Sequence, residues 1–159
     1  MILWPPALAL VIVWFVFKDP AIDYRVVIAG ALLPDLVDGP FGGARVLHAL
    51  MAAVAVLVTV MLATRGHRHA RRRWLFLPVG MFLHLVADGM WTRTVVFWWP
   101  FFGASLSGPL PAIDHGPAVL VAEELAGALM LGWFWVRFRL DDPAVRANFV
   151  RAGRLPRGD

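Results

Sequence analysis

The chain has 159 residues, 60% of them hydrophobic and 16% charged, with a net charge of +4 and no cysteine. Disulfides and thiolate metal ligands are thereby excluded, leaving imidazole and carboxylate as the metal-binding chemistry. A mean hydropathy of +0.69 is more apolar surface than a core of this size takes up, since soluble domains carry about a quarter charged residues; the basic balance reads as arginine-rich cytoplasmic loops and not as a nucleic-acid surface.

In chain order, five segments read as membrane-spanning or membrane-entering: 3–17, 22–34, 46–64, 74–91 and 117–136. The composition and these segments predict an all-α, polytopic transmembrane helix bundle over residues 1–140. The second segment is short and ends in "LLPDLVDGPFGG", where proline and glycine stop a helix. The third and fourth are joined by "RGHRHARRR", 65–73, whose arginines predict a cytoplasmic loop. Its His67 and His69 read as part of that topology signal. Gly80, Gly127 and Gly132 read as small residues that let helices approach closely. Asp141-Asp142-Pro143 is a helix start, so 141–159 is expected to be a short cytoplasmic helix and tail. The same topology makes the chain a multi-pass protein of the plasma or inner membrane, with lipids as its partners.

Ionisable residues inside such segments mark function more often than packing. Asp35 and Asp38 fall at the outer end of the second segment, and His48 stands near the start of the third. His84 and Asp88 lie four residues apart on one face of the fourth. Glu123 and Glu124 lie about two turns into the fifth. All of them fall at one depth, toward the extracytoplasmic side. Carboxylates gathered there repel one another unless protonated or neutralised, and a divalent cation is the simplest neutraliser.

The stretch "LLPDLVD", then Arg45-x-x-His48, then "GMFLHLVADGM" followed by "VFWWPFF" resembles the YdjM-like family of membrane-bound, predicted metal-dependent hydrolases over about residues 30–102. The resemblance implies Asp35, Asp38, His48, His84 and Asp88 as metal ligands and Arg45 as an anion-binding residue. The chain departs from the family pattern in the spacing of Asp35 and Asp38, in Ala49 after His48, and in having no N-terminal histidine. Glu123, Glu124 or His115 is the expected replacement for a missing ligand.

The favoured expectation is a divalent-metal-dependent hydrolase, with zinc or manganese ahead of magnesium, acting on an ester or phosphoester of a lipid-like substrate. The ion would polarise the scissile oxygen and lower the pKa of a water. Asp38 and Glu123 are the carboxylates expected to serve in catalysis, one of them as general base, and Arg45 would hold the substrate's anionic group. The alternative is a non-enzymatic carrier or ion-handling protein built on the same cluster.

Overall fold

A computed structural model describes residues 1–109 and 116–156. Its helices are α1 (Trp4–Phe17), α2 (Tyr24–Asp38), α3 (Leu50–Ala63), α4 (Arg68–Trp74), α5 (Phe76–Ala87), α6 (Thr94–Phe97), α7 (Gly116–Arg137) and α8 (Pro143–Ala152). Short 3-10 turns occur at Gly39–Phe41, Val46–His48 and Met90–Thr92. Among the described residues there is no strand, only an isolated bridge between Ala44 and Gly108. His115 lies outside the described residues.

The all-helical character agrees with the sequence reading, but the number of membrane segments is corrected. Helices α1 and α3 have 14 residues each, α2 has 15 and α5 has 12. At 1.5 Å per residue they reach roughly 18–23 Å, short of a hydrocarbon core ~30 Å thick. Among the described residues, one helix, α7 with 22 residues, is long and apolar enough to cross a membrane. About five spans are therefore reduced to one candidate, and one such helix does not establish a membrane protein. The reason is local geometry that hydropathy alone does not register. Lys18 closes α1 in a left-handed conformation, Ala49 is extended between a 3-10 turn and α3, and Gly89 ends α5 at φ +60°.

The basic stretch 65–73 is also not simply a loop. Its second half is α4, and two of its arginines are held: Arg72 pairs with Asp19, while Arg73 Nε lies 2.9 Å from Asp23 Oδ2. Asp23 caps α2 as well, accepting the Arg25 N–H at 3.2 Å. Asp142 caps α8 in the same way, accepting from the Ala144 N–H at 2.8 Å, with Pro143 in the first turn. Arg25 Nη1 then donates to the carbonyls of Val150 and Arg151 at 2.7 and 2.9 Å. Phe149 packs on the core and Leu155 is buried in it. The C-terminal segment therefore folds against the helical body as far as Leu155.

The centre of the body is the α2–α5 pair, with α1 lying across both, α7 on α1 and α3 on α5. The pair is close because glycine faces glycine. A Cβ placed on Gly30 would stand 2.2 Å from the Leu77 carbonyl oxygen, and one on Gly80 would stand 2.4 Å from that of Val27. Gly127 does the same for α7 against the start of α1, whereas Gly132 faces open space. One turn beyond the Gly30–Gly80 contact, α2 and α5 carry the residues of the polar cluster.

Candidate metal centre

Asp35, His48, His84 and Asp88 come together from α2, the 46–48 turn and α5. One donor atom from each lies within 4.8 Å of all the others. His84 Nε2 is 3.3 Å from Asp88 Oδ2, 3.4 Å from His48 Nε2 and 3.6 Å from Asp35 Oδ1. His48 Nε2 is 3.5 Å from Asp35 Oδ1 and 3.9 Å from Asp88 Oδ2. A tetrahedral ion with ligands at about 2.0–2.2 Å has ligand–ligand edges of about 3.3–3.6 Å. Four of these five spacings fall in that range. The group could hold a metal ion.

The orientation of the two rings strengthens this. His84 Nδ1 is 2.7 Å from the carbonyl oxygen of Ala31. A carbonyl only accepts, so Nδ1 carries the proton and the neutral ring turns the Nε2 lone pair inward. His48 Nδ1 is 2.8 Å from Asp38 Oδ2, which sets the same tautomer. Metal-binding histidines characteristically donate their other N–H to a carboxylate or a backbone carbonyl. Here both forms of partner are present. Without a cation or an added proton, two imidazole lone pairs and two carboxylate oxygens would face one another.

Burial raises the cost of that arrangement. His48 and His84 are fully buried and Asp88 is 3% exposed, while the Asp35 side chain is 24% exposed. Asp88 Oδ1 is buried without a hydrogen-bond partner, an unusual condition for a carboxylate oxygen. Both α2 and α5 end here, and helix C-termini carry partial negative charge that favours a cation and disfavours carboxylates. The Met1 nitrogen lies 3.3 Å from Asp35 Oδ2 at the rim.

Two of the groups have shifted titration. For His48, burial disfavours the imidazolium, but hydrogen bonds to Asp35 and Asp38 and the charges of Asp38 and Asp88 outweigh it and raise the pKa. For Asp35, burial favours the neutral acid, but the His48 hydrogen bond and the neighbouring positive groups prevail and lower it. In the ion-free protein a proton on His48 thus takes part of the neutralising role.

The other expected residues occupy different places. Asp38 is not among the four converging groups. Its Oδ2 accepts from the backbone N–H groups of Arg45, Leu47 and His48 at 3.0, 3.0 and 3.2 Å, besides the His48 ring. It shapes the turn that aims His48. Gly42, at φ +76°, and Gly43, where a Cβ would meet the Gly108 carbonyl oxygen at 2.5 Å, let the chain double back before that turn. Glu123 is half-buried and also outside the group. Glu124 accepts from the N–H groups of Ile2 and Leu3 at 2.8 and 3.1 Å, satisfying the start of α1. Arg45 is exposed, donates to the Phe41 carbonyl at 3.3 Å, and borders a cavity of about 300 Å³ with Ser107 and Gly108. His67 and His69 are exposed and distant in sequence from the cluster.

Sequence reasoning missed the contribution of the backbone. The Ala31 carbonyl that fixes His84 has no side-chain signature. Its only trace is Gly30 beside it, facing Gly80 four residues before His84. Trp4 was likewise unflagged; its Nε1–H donates to the Ala87 carbonyl at 2.9 Å and holds the end of α5 next to Asp88.

No family model, no curated protein and no solved structure matches this chain.

Proposed function

We propose that Asp35, His48, His84 and Asp88 bind one divalent metal ion, zinc or manganese, and that the centre serves hydrolysis of an ester or phosphoester bond. The observation that carries this reading is the set of near-tetrahedral spacings combined with both Nε2 lone pairs directed inward. Nitrogen and carboxylate donors without thiolate suit these ions. When bound, such an ion polarises a substrate oxygen and lowers the pKa of a water. The resemblance of residues 30–102 to YdjM-like hydrolases supports the same reaction class.

The chain's own residues have distinct tasks. His48 and His84 are pre-oriented by Asp38 and Ala31, and Asp88 is fixed at the end of α5. Asp35 is the most exposed of the four and stands where substrate and water enter. It is the carboxylate placed to exchange between ligation and proton acceptance. Arg45, at the rim of the neighbouring cavity, is placed to pair with an anionic substrate group.

A second reading draws on one feature of the same geometry. Four protein donors complete a tetrahedral shell, as in sites that hold metal without reacting, which fits an ion-handling protein. Turnover decides between the two. The purified chain, loaded with zinc or manganese, is assayed on para-nitrophenyl phosphate and on alkyl esters. Hydrolysis that is lost in Asp35→Asn and His84→Ala supports the enzyme. Stoichiometric metal without turnover on either substrate class supports ion handling.

A further inference from the structure

Leu50 and Met51, which begin α3 directly after His48 and Ala49, face the aromatic run 97–102 across an apolar cavity of about 340 Å³. Every residue lining it is apolar or aromatic. Its inner wall is continuous with the packing around the cluster. Phe97 is buried with Leu85, the neighbour of His84, and Leu50 packs against the same group. The outer wall is open: Phe101 and Phe102 are 73% and 67% exposed. The polar cavity bordered by Arg45 is lined by residues 41–45 and 107–109. His48 thus stands in sequence between Arg45 at the polar cavity and Leu50 at the apolar one.

We propose that this cavity binds the alkyl or acyl chain of the substrate, making the substrate class an amphiphile with an apolar chain on one side of the scissile bond and an anionic group on the other. The volume lies at the lower end of small-molecule sites, which fits a single unbranched chain. The placement of the reacting bond rests on the metal-centre reading; the chain-binding cavity does not. Exposed Phe101 and Phe102 are the mouth through which the chain extends. The occupant follows from continuity with the centre: a chain seated against Leu50 and Phe97 rests on the same buried group as Leu85, the neighbour of His84.

The test is calorimetric titration of the full chain with butyl, hexyl and octyl phosphate below their micelle concentrations, with manganese and after chelation. A methylene that enters an apolar site contributes about a fourfold gain in affinity. Octyl phosphate is therefore expected to bind at least tenfold more tightly than butyl phosphate. Met51→Trp, which fills the cavity, should remove that chain-length dependence, so that butyl and octyl phosphate bind within about twofold of each other. Phe101→Ala, at an exposed position that does not support the fold, should weaken octyl phosphate alone. Equal affinities for butyl and octyl phosphate in the wild type overturn the proposal, as does full chain-length dependence in Met51→Trp. So does self-association that is lost in Phe101→Ala without any chain-length effect, which would make the face a contact between two copies. A chain-length effect that persists in protein unable to bind metal supports the cavity and removes the metal-centre reading, so the two failures are distinguishable.

Discussion

Gly80→Ala is the substitution that bears most directly on how the fold makes the site. A Cβ there would stand 2.4 Å from the Val27 carbonyl oxygen, 2.9 Å from the Ala31 nitrogen and 3.0 Å from the Gly30 Cα. All three are backbone atoms, so no flexible side chain can yield. Ordinary carbon–oxygen contacts begin near about 3.3 Å, and α2 and α5 must separate by roughly 1 Å to accept the methyl group. The His84–Ala31 hydrogen bond, 2.7 Å long, would then exceed bonding distance. Overpacking costs about 1–3 kcal/mol and loss of the hydrogen bond about 1 kcal/mol more. For a chain of this size, each kcal/mol lowers Tm by roughly 2–4 °C, so thermal unfolding should shift down by about 4–16 °C. With His84 no longer aimed, metal affinity should fall about 10–100-fold, the usual effect of losing an outer hydrogen-bond partner. Gly132→Ala is the control. A Cβ there meets nothing within 4 Å, and the helix gains about 0.5–1 kcal/mol from losing a glycine. Thermal unfolding and metal titration of the two variants, side by side, check the reasoning. An unchanged Tm and unchanged metal affinity in Gly80→Ala would refute it.

Two further expectations concern the residues behind the donors. Asp38→Asn should lower metal affinity about 10–100-fold while the chain still folds, because the amide oxygen can accept the N–H groups that the carboxylate now accepts; an unchanged metal titration would show that His48 is aimed without it. The second is a pH dependence of opposite sign in the two states. In metal-free protein the raised His48 pKa contributes stability that is complete below the ordinary imidazole value of about 6.5 and is lost as pH rises through the folded value. The lowered Asp35 pKa contributes stability that is present above its ordinary value of about 3.9 and is lost as pH falls through the folded value. Metal must displace the His48 proton, so affinity should fall about tenfold per pH unit below the folded His48 pKa. Denaturation across pH 2–9 and metal titration across pH 5–9 test this, and parallel slopes with and without metal would count against it.

The donors themselves were legible in sequence because charge in an apolar run is costly and so stands out. His84 and Asp88 share a helix face by their spacing alone, and the breaks after Asp38 and before His48 place those residues at turns. What could not be read was which carboxylate faces the centre. Asp35 and Asp38 are equivalent in composition, and only the backbone path through Gly42, Gly43 and the 46–48 turn sends Asp38 behind His48. Glu123, expected as a catalytic carboxylate, shares a helix stripe with Ala126 and Gly127. That small-residue face in fact packs on the start of α1, through Gly127 against Leu3 and Trp4. The span count failed for a related reason. Apolar residues continue through the turn before Ala49 and through Gly89, so hydropathy runs on where the helix does not. The helix start at Asp142-Pro143 was legible because capping is local chemistry.

The central claim is that four side chains are assembled to hold one ion, and metal content tests it most directly. The full chain, loaded with excess zinc or manganese, desalted and analysed by plasma mass spectrometry, should retain one equivalent of divalent metal per chain. His84→Ala and Asp88→Asn should retain about a tenth of that or less under the same conditions. A wild type that retains no divalent ion after loading at alkaline pH would contradict the claim and leave the cluster as a proton-bridged contact between α2 and α5.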